Sequence, residues 1–132
     1  MAEIPAAFRD LLTNKKAFAH LATVMPDGSP QVTPVWFDES HGHIRVNTAK
    51  GRVKARNMSE GSPVALSVLD PDNAYRYLQI RGTVVHVTED GAVAHIDSLA
   101  KKYMGKDVYP FHNAKDVRTI YEIEPVSVQT MG

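Results

Sequence analysis

The most distinctive chemical feature of the sequence is a basic stretch, NTAKGRVKARNM, at residues 47–58. Bases occupy every second position from residue 50 to residue 56, and no acid occurs from residue 40 to residue 59. This pattern has two interpretations: a site for a negatively charged ligand, or a solvated basic face on an exposed helix. The spacing alone leaves both open. The four bases are Lys50, Arg52, Lys54 and Arg56.

A helix start within this stretch supplies the argument for a ligand, although the solvated basic face stays an equal alternative on the pattern alone. Gly51 separates a predicted strand from a short predicted helix over about residues 52–59, which places Arg52 and Lys54 in the first helical turn. Cations there oppose the positive end of the helix dipole. A phosphate would remove the conflict, because free helix N–H groups and basic side chains both bind anions.

The charge balance argues against nucleic acid as the ligand. The 132-residue chain carries 15 basic and 15 acidic residues, so its formal net charge is zero. Proteins that bind nucleic acid depend on net positive charge and often stack bases on aromatic side chains. Residues 47–58 contain no aromatic residue. A local excess of positive charge is better suited to a small anion.

The sequence lacks the residues of a self-sufficient catalytic centre. It has no cysteine, no G-x-S-x-G motif and no H-E-x-x-H motif. His41 and His43 form an H-x-H pair, which we interpret as polar turn residues rather than a metal site because no third ligand is nearby. No metal site is predicted. An enzyme with this sequence would therefore depend on an organic cofactor for the difficult chemistry.

A second candidate segment is VTPVWFD, residues 32–38, which contains Trp36, the only tryptophan. Pro34 lacks a backbone N–H and interrupts the ladder of its strand, so an edge position or a bulge is expected. Free backbone groups there could hydrogen-bond the edge of a heteroaromatic ring. The alternative is an ordinary core aromatic at the edge of a barrel.

The elements that must position these residues are mainly strands. Alternating apolar residues and turn signals predict six strands, mostly joined by hairpins, and three helices. Gly82 lies within the longest strand and predicts a bulge. The pattern favours a closed or nearly closed antiparallel barrel in one domain, residues 1–132. The predicted helices cover residues 5–14, about 52–59 and 91–105, and the strands cover residues 17–25, 30–38, 43–48, 63–70, 75–89 and 117–129.

Four segments in this order resemble the pyridoxamine 5′-phosphate oxidase-like flavoprotein superfamily. They are HLATVMPDGSPQVTPVWFD, IRVNTAKGRVKARNM, SPVALSVLD and YLQIRGTVV. More narrowly, the chain is similar to the small F420-dependent flavin/deazaflavin oxidoreductases of the B group. The resemblance implies a mainly β fold, the Greek-key split β-barrel of FMN-binding proteins. It also implies a homodimer whose flavin or deazaflavin lies in a groove at the dimer interface.

The resemblance also implies roles for particular residues. Arg52 and Lys54 would bind the cofactor phosphate, with Thr48 nearby. Lys50 and Arg56 would contact the cofactor tail. The ring system would be bordered by Thr33, Pro34, Val35 and Trp36, and Gln79 and Arg81 would face the site from the long strand.

The implied function is reduction of a small conjugated or quinone-like acceptor, with hydride supplied by reduced F420. F420 extends beyond its phosphate into an anionic oligoglutamate tail, which suits a stripe of four bases. Alternatives are an FMN-dependent oxidoreductase of the same fold and a non-catalytic carrier of F420, a tetrapyrrole or a fatty acid. The catalytic acid stays unassigned, with Tyr77 or an arginine as candidates. No apolar run approaches the ~20 residues of a membrane span, and a cytoplasmic location is expected.

Overall fold

The computed structural model describes all residues, 1–132, and contains seven strands and three α-helices. A 3-10 turn, Ala6–Phe8, precedes the first helix. The helices are α1 (Asp10–Thr13), α2 (Val53–Arg56) and α3 (Ala92–Met104). The strands are β1 (Ala19–Val24), β2 (Pro30–Val35), β3 (Phe37–Ser40), β4 (His43–Ala49), β5 (Pro63–Leu69), β6 (Tyr77–Thr88) and β7 (Arg118–Met131).

All seven strands form one antiparallel sheet in the order β2-β1-β5-β6-β7-β4-β3. Its two edge strands, β2 and β3, are consecutive in the chain and are separated only by Trp36. The sheet must therefore curl until its edges meet at this residue. The predicted split barrel is confirmed, and Pro34 lies on an edge strand as predicted.

The prediction of six strands was wrong at this junction. A single strand was expected over residues 30–38, but the ladder with β1 ends at Val35 and a new ladder with β4 begins at Phe37. The chain changes partner there because it passes from one edge of the sheet to the other. The residue that borders both ladders is the tryptophan.

The interior of the curled sheet holds the main core of 19 buried residues, which includes Leu21, Phe37, Leu66 and Ile123. Strands β6 and β7 form the longest ladder, and its register shifts after Arg81. The bulge predicted at Gly82 is therefore confirmed.

Two predicted helices are shorter than expected. The N-terminal helix is divided into the 3-10 turn and the four residues of α1. Helix α2 has a single turn of four residues. In contrast, α3 begins and ends at Gly91 and Gly105 as predicted and buries Ile96, Leu99 and Tyr103. Val93 of the same helix is 56% exposed. No helix has the length and apolar character needed to span a membrane.

A group of ion pairs ties the N-terminal segment to the turn between β5 and β6. Arg76 binds both oxygens of Asp10, at 2.7 and 3.0 Å, and one oxygen of Asp70 at 2.8 Å. Lys15 donates to the other Asp70 oxygen at 2.8 Å. Because Asp70 is only 3% exposed, its charge needs these partners.

Candidate functional site

A cavity of about 280 Å³ opens where the two sheet edges meet. It is bordered by the β2–β3 junction, the end of β4, helices α2 and α3 and the loop that precedes β7. Strand pairing brings these segments together, because Ala49 at the end of β4 lies opposite Arg118 at the start of β7. The lining residues are Phe18, Pro34, Val35, Trp36, Asn47, Thr48, Arg52, Lys54, Ile96, Tyr109, Phe111 and Arg118.

One wall of the cavity is basic and contains Arg52, Lys54 and Arg118. None of the three forms an ion pair with a carboxylate. Burial lowers the pKa of Lys54, and the charges of Arg52 and Arg118 lower it further. Burial also lowers the pKa of Arg118, with a contribution from Arg52. This wall therefore carries mutually repelling charge that an anion would neutralise.

A second wall of the cavity, in contact with the basic wall, is aromatic. Trp36 stacks on Tyr103 and contacts the ring of Tyr109 edge-on, with ring centroids 6.0 Å apart. Phe111 packs against Tyr109 at 5.6 Å and is itself 66% exposed. Flat apolar rings of this kind bind a planar ring system by offset or edge contact. The cavity thus combines a wall of aromatic rings with a wall of positive charge.

Asp97 on α3 fixes the loop that carries Tyr109 and Phe111. Its Oδ1 accepts hydrogen bonds from the backbone N–H of Tyr109 and from His112 Nε2, each at 2.8 Å. These bonds lower the pKa of Asp97. The guanidinium of Arg118 lies 5.5 Å from the Tyr109 ring centroid, a cation–π distance that joins the loop to the basic wall.

Six of the ten predicted cofactor-binding residues line this one cavity. A seventh, Thr33, is adjacent in β2, and its Oγ1 is buried without a hydrogen-bond partner. An unpaired buried hydroxyl is costly and indicates a missing partner. The six lining residues are Pro34, Val35, Trp36, Thr48, Arg52 and Lys54.

The other three predicted residues lie elsewhere in the protomer. Lys50 does not line the cavity and pairs with Glu89. Arg56 is exposed on α2 and does not line the cavity. Gln79 lines a separate groove of about 530 Å³ on the outer sheet face, together with Tyr77 and Arg81. Their proposed contacts with a cofactor stay predictions.

Arg52 and Lys54 lie at the start of α2 as predicted, but this helix is too short to give the helix-dipole argument for an anion site much weight. Helix α2 has one turn, and its N-cap Arg52 is extended and makes no side-chain cap bond. A single turn aligns too few peptide units to produce a substantial dipole. The cationic character of the site comes instead from three converging side chains, of which Arg118 is supplied by a distant strand.

Sequence reasoning missed half of the lining residues. Arg118 follows a loop of mixed composition, and only the pairing of β4 with β7 places it beside Arg52 and Lys54. Asn47 was within the basic stretch but carries no charge. The other missed residues are Phe18, Ile96, Tyr109 and Phe111.

The family model for pyridoxamine 5′-phosphate oxidase matches residues 4–132, nearly the whole chain. The chain belongs to this family. Among solved structures, an F420 reductase is similar at 35% identity, covering 96% of this chain and 98% of its own, with a TM-score of 0.81. The resemblance inferred from sequence motifs is therefore confirmed. No curated protein matches the sequence significantly.

More distantly similar solved structures share the fold. An FAD and heme binding protein from Mycobacterium smegmatis is 19% identical, with a TM-score of 0.70 over 98% of this chain and 71% of that one. A heme storage protein from Vibrio cholerae is 15% identical, with a TM-score of 0.69 over 99% of this chain and 96% of that one. At these identities the likeness concerns architecture alone.

Proposed function

We propose that this chain is a cytoplasmic oxidoreductase that uses reduced F420 to deliver hydride to a small conjugated or quinone-like acceptor. The observation that carries the proposal is the set of three unpaired cations, Arg52, Lys54 and Arg118, beside an aromatic wall. A phosphorylated planar cofactor has the matching anion and ring. The 35% identical F420 reductase supports the deazaflavin over FMN.

The residues of the cavity fit such a cofactor. The phosphate would lie against Arg52, Lys54 and Arg118, where it would offset their repulsion. The ring would lie against Trp36 and the edge strand β2, in which the neighbouring Thr33 hydroxyl is buried without a hydrogen-bond partner. When bound, the deazaflavin supplies the hydride that no side chain of the cavity can supply.

The protein's own contribution is orientation and exclusion of water. The aromatic wall, with Trp36, would orient the ring, and the basic wall of Arg52, Lys54 and Arg118 would hold the phosphate. The hydroxyl of Tyr109 is the proton-bearing group of the cavity wall that we assign as the candidate for completing reduction, since Arg118 would bind the phosphate and its guanidinium keeps its protons. Tyr77, the acid suggested by the sequence, lines the outer groove instead.

We also propose a homodimer formed through the outer face of β1, β2, β5, β6 and β7. Large apolar side chains are exposed on this side of the sheet, which is unusual for a surface in contact with water. They are Val24 at 43%, Val32 at 62%, Leu69 at 41%, Val126 at 62% and Met131 at 44%. Burial of this face against a second copy would cover the outer grooves, including Gln79 and Arg81.

A side-by-side titration of the cofactor-free protein with F420 and FMN tests the cofactor assignment. We expect tighter binding of F420, followed by oxidation of reduced F420 when menadione is supplied as acceptor. Tighter FMN binding would instead favour the flavin-dependent enzyme. Tight F420 binding with no turnover of any quinone would favour a carrier.

Analytical ultracentrifugation tests the dimer, and replacement of Val126 by Lys should yield monomers if the outer face is the interface.

A further inference from the structure

A chain of hydrogen bonds runs from the sheet to the basic wall of the cavity. Arg45 donates to both oxygens of Asp38, at 2.9 and 2.7 Å. His95 on α3 lies 3.1 Å from Asp38 through Nε2 and 3.2 Å from the Asn47 amide nitrogen through Nδ1. Asn47 Oδ1 then accepts from Arg118 Nε at 2.9 Å. Five side chains thus link an internal ion pair to a cavity residue.

The direction of every hydrogen bond follows from donor and acceptor counts. Burial alone would raise the pKa of Asp38, but hydrogen bonds from His95 and Arg45 outweigh it and lower that pKa. Asp38 is therefore a carboxylate and accepts from His95 Nε2–H. His95 Nδ1 is then the acceptor for the Asn47 amide, whose second N–H bonds the Ala92 carbonyl at 2.8 Å.

The same count of donors and acceptors allows only one orientation of the Asn47 side-chain amide. Its amide nitrogen has two acceptors, the Ala92 carbonyl and His95, so its oxygen must face Arg118. A flipped amide would place N–H groups against the N–H of Arg118. Each group in the chain donates toward Asp38, and such aligned bonds polarise one another.

We propose that Asn47 and His95 are positioning residues that hold the Arg118 guanidinium toward the cofactor phosphate. This inference rests on the proposed function. The physical reason concerns charge: Asn47 is a neutral acceptor, so it orients Arg118 without neutralising it. A carboxylate at the same place would also hold the arginine but would compete with the phosphate. Asn47 is the only residue to which the Arg118 side chain donates a hydrogen bond.

The first test observes Arg118 without any cofactor. In nitrogen-15 NMR spectra of the cofactor-free protein, we expect a slowly exchanging Arg118 Nε–H signal. Replacement of Asn47 by Leu should speed its exchange by about tenfold or more, because a hydrogen bond to a charged group is lost. His95→Phe should have a smaller effect of the same sign. An Arg118 signal that is unaffected by both changes would overturn the proposal.

The second test separates orientation from neutralisation. Asn47→Asp keeps an acceptor for Arg118, so Nε–H exchange should stay slow. Affinity for F420 should nevertheless fall by about tenfold, since the new carboxylate repels phosphate. A residue with a merely structural role would not combine protected exchange with weakened binding. If Asn47→Asp binds F420 as tightly as the unaltered protein, neutrality at this position is unimportant and the proposal fails.

The third test asks whether the effect passes through Arg118. Asn47→Leu should weaken F420 binding in the unaltered protein but have no further effect once Arg118 is replaced by Ala. Asn47→Leu should also have no effect on the binding of a truncated deazaflavin, one that lacks the phosphate and the tail. An equal loss in both backgrounds would contradict positioning. If the unaltered protein binds neither F420 nor FMN, the proposed function fails, and the NMR measurement still decides whether Asn47 and His95 orient Arg118.

Discussion

The indole ring of Trp36 lies parallel to the phenol ring of Tyr103, with ring centroids 5.3 Å apart and the two planes inclined by 4°. Tyr103 is itself fixed, because its hydroxyl donates to the Ala17 carbonyl at 2.7 Å. Burial raises the pKa of Tyr103 to about 12, so this hydroxyl stays protonated at neutral pH. The tryptophan that lines the cavity is therefore held by a rigid partner.

This arrangement predicts a direct optical signal of cofactor binding. Because Trp36 is the only tryptophan, we expect its fluorescence to be quenched when F420 or FMN enters the cavity. Trp36→Phe should weaken binding by ~0.5–1.5 kcal/mol, the typical worth of an aromatic contact. Equilibrium dialysis provides an independent affinity. Binding by dialysis without any change in emission would place the cofactor away from Trp36.

The basic wall predicts opposite effects on binding and stability. Arg52→Gln and Lys54→Gln should each weaken F420 binding by ~1.5–3 kcal/mol, the scale of a hydrogen bond to a charged group. The melting temperature of the cofactor-free protein should stay unchanged or rise, since repulsion among the cations is relieved. Arg56→Gln is the matched control, because Arg56 is on the same helical turn but outside the cavity.

These measurements can also contradict the assignment. If Arg52→Gln or Lys54→Gln lowers the melting temperature of the cofactor-free protein, the affected side chain supports the fold. If Arg56→Gln weakens binding as much as Lys54→Gln, a diffuse positive surface rather than a defined anion site attracts the cofactor.

The Asp97 contacts predict a loop that can be loosened without unfolding α3. Asp97→Ala removes the acceptor for the Tyr109 N–H and for His112, so amide exchange at Tyr109 should rise by about tenfold or more. Exchange within α3 should stay slow. His112→Gln, which removes only one of the two bonds, should have a smaller effect. Faster exchange throughout α3 would instead show that Asp97 stabilises the helix.

The buried ion pairs predict sensitivity to acid. Hydrogen bonds from Lys15, the Asp72 backbone and Arg76 hold the pKa of Asp70 below its ordinary value of 3.8. The unfolded chain therefore takes up this proton at higher pH than the folded chain does. Stability from Asp70 is complete above the ordinary pKa and is lost as pH falls toward the folded pKa.

Asp70→Asn should consequently lower the melting temperature at neutral pH and flatten its decline below about pH 4. Asp72→Asn is the control, because Asp72 pairs with the same Lys15 at 3.1 Å but is 76% exposed. Its melting temperature should stay close to that of the unaltered protein. Identical acid profiles for Asp70→Asn and the unaltered protein would show that other carboxylates govern the acid transition.

Local sequence patterns predicted the helices and strands in which apolar residues keep one regular spacing from end to end. Alternation located β1 and β5, and Gly105 ended α3 where expected. The break at Trp36 was not predicted, because both sides of it are extended and only the change of ladder partner distinguishes them. That change depends on the closure of the whole sheet.

Sequence patterns predicted those residues of the candidate cavity that lie close together in the chain. They missed the residues that only strand pairing brings to the cavity. Residues 34–36 and the pair Arg52 and Lys54 are local. Arg118 reaches the cavity only through β4–β7 pairing. Lys50 carries the same charge as Arg52 and Lys54 and lies in the same basic stretch. Unlike them, it is paired with an acid, Glu89, which is thirty-nine residues away in the chain. Charge spacing alone does not distinguish an available base from one already paired.

The junction at Trp36 has a consequence for how the cavity can change size. Strands β2 and β3 form no ladder with each other, so no row of backbone hydrogen bonds crosses the line where the sheet edges meet. Separation of the edges there disrupts side-chain packing but breaks no ladder. Substitutions at a few side chains along this line can therefore adjust the width available to a ring while every strand keeps its register.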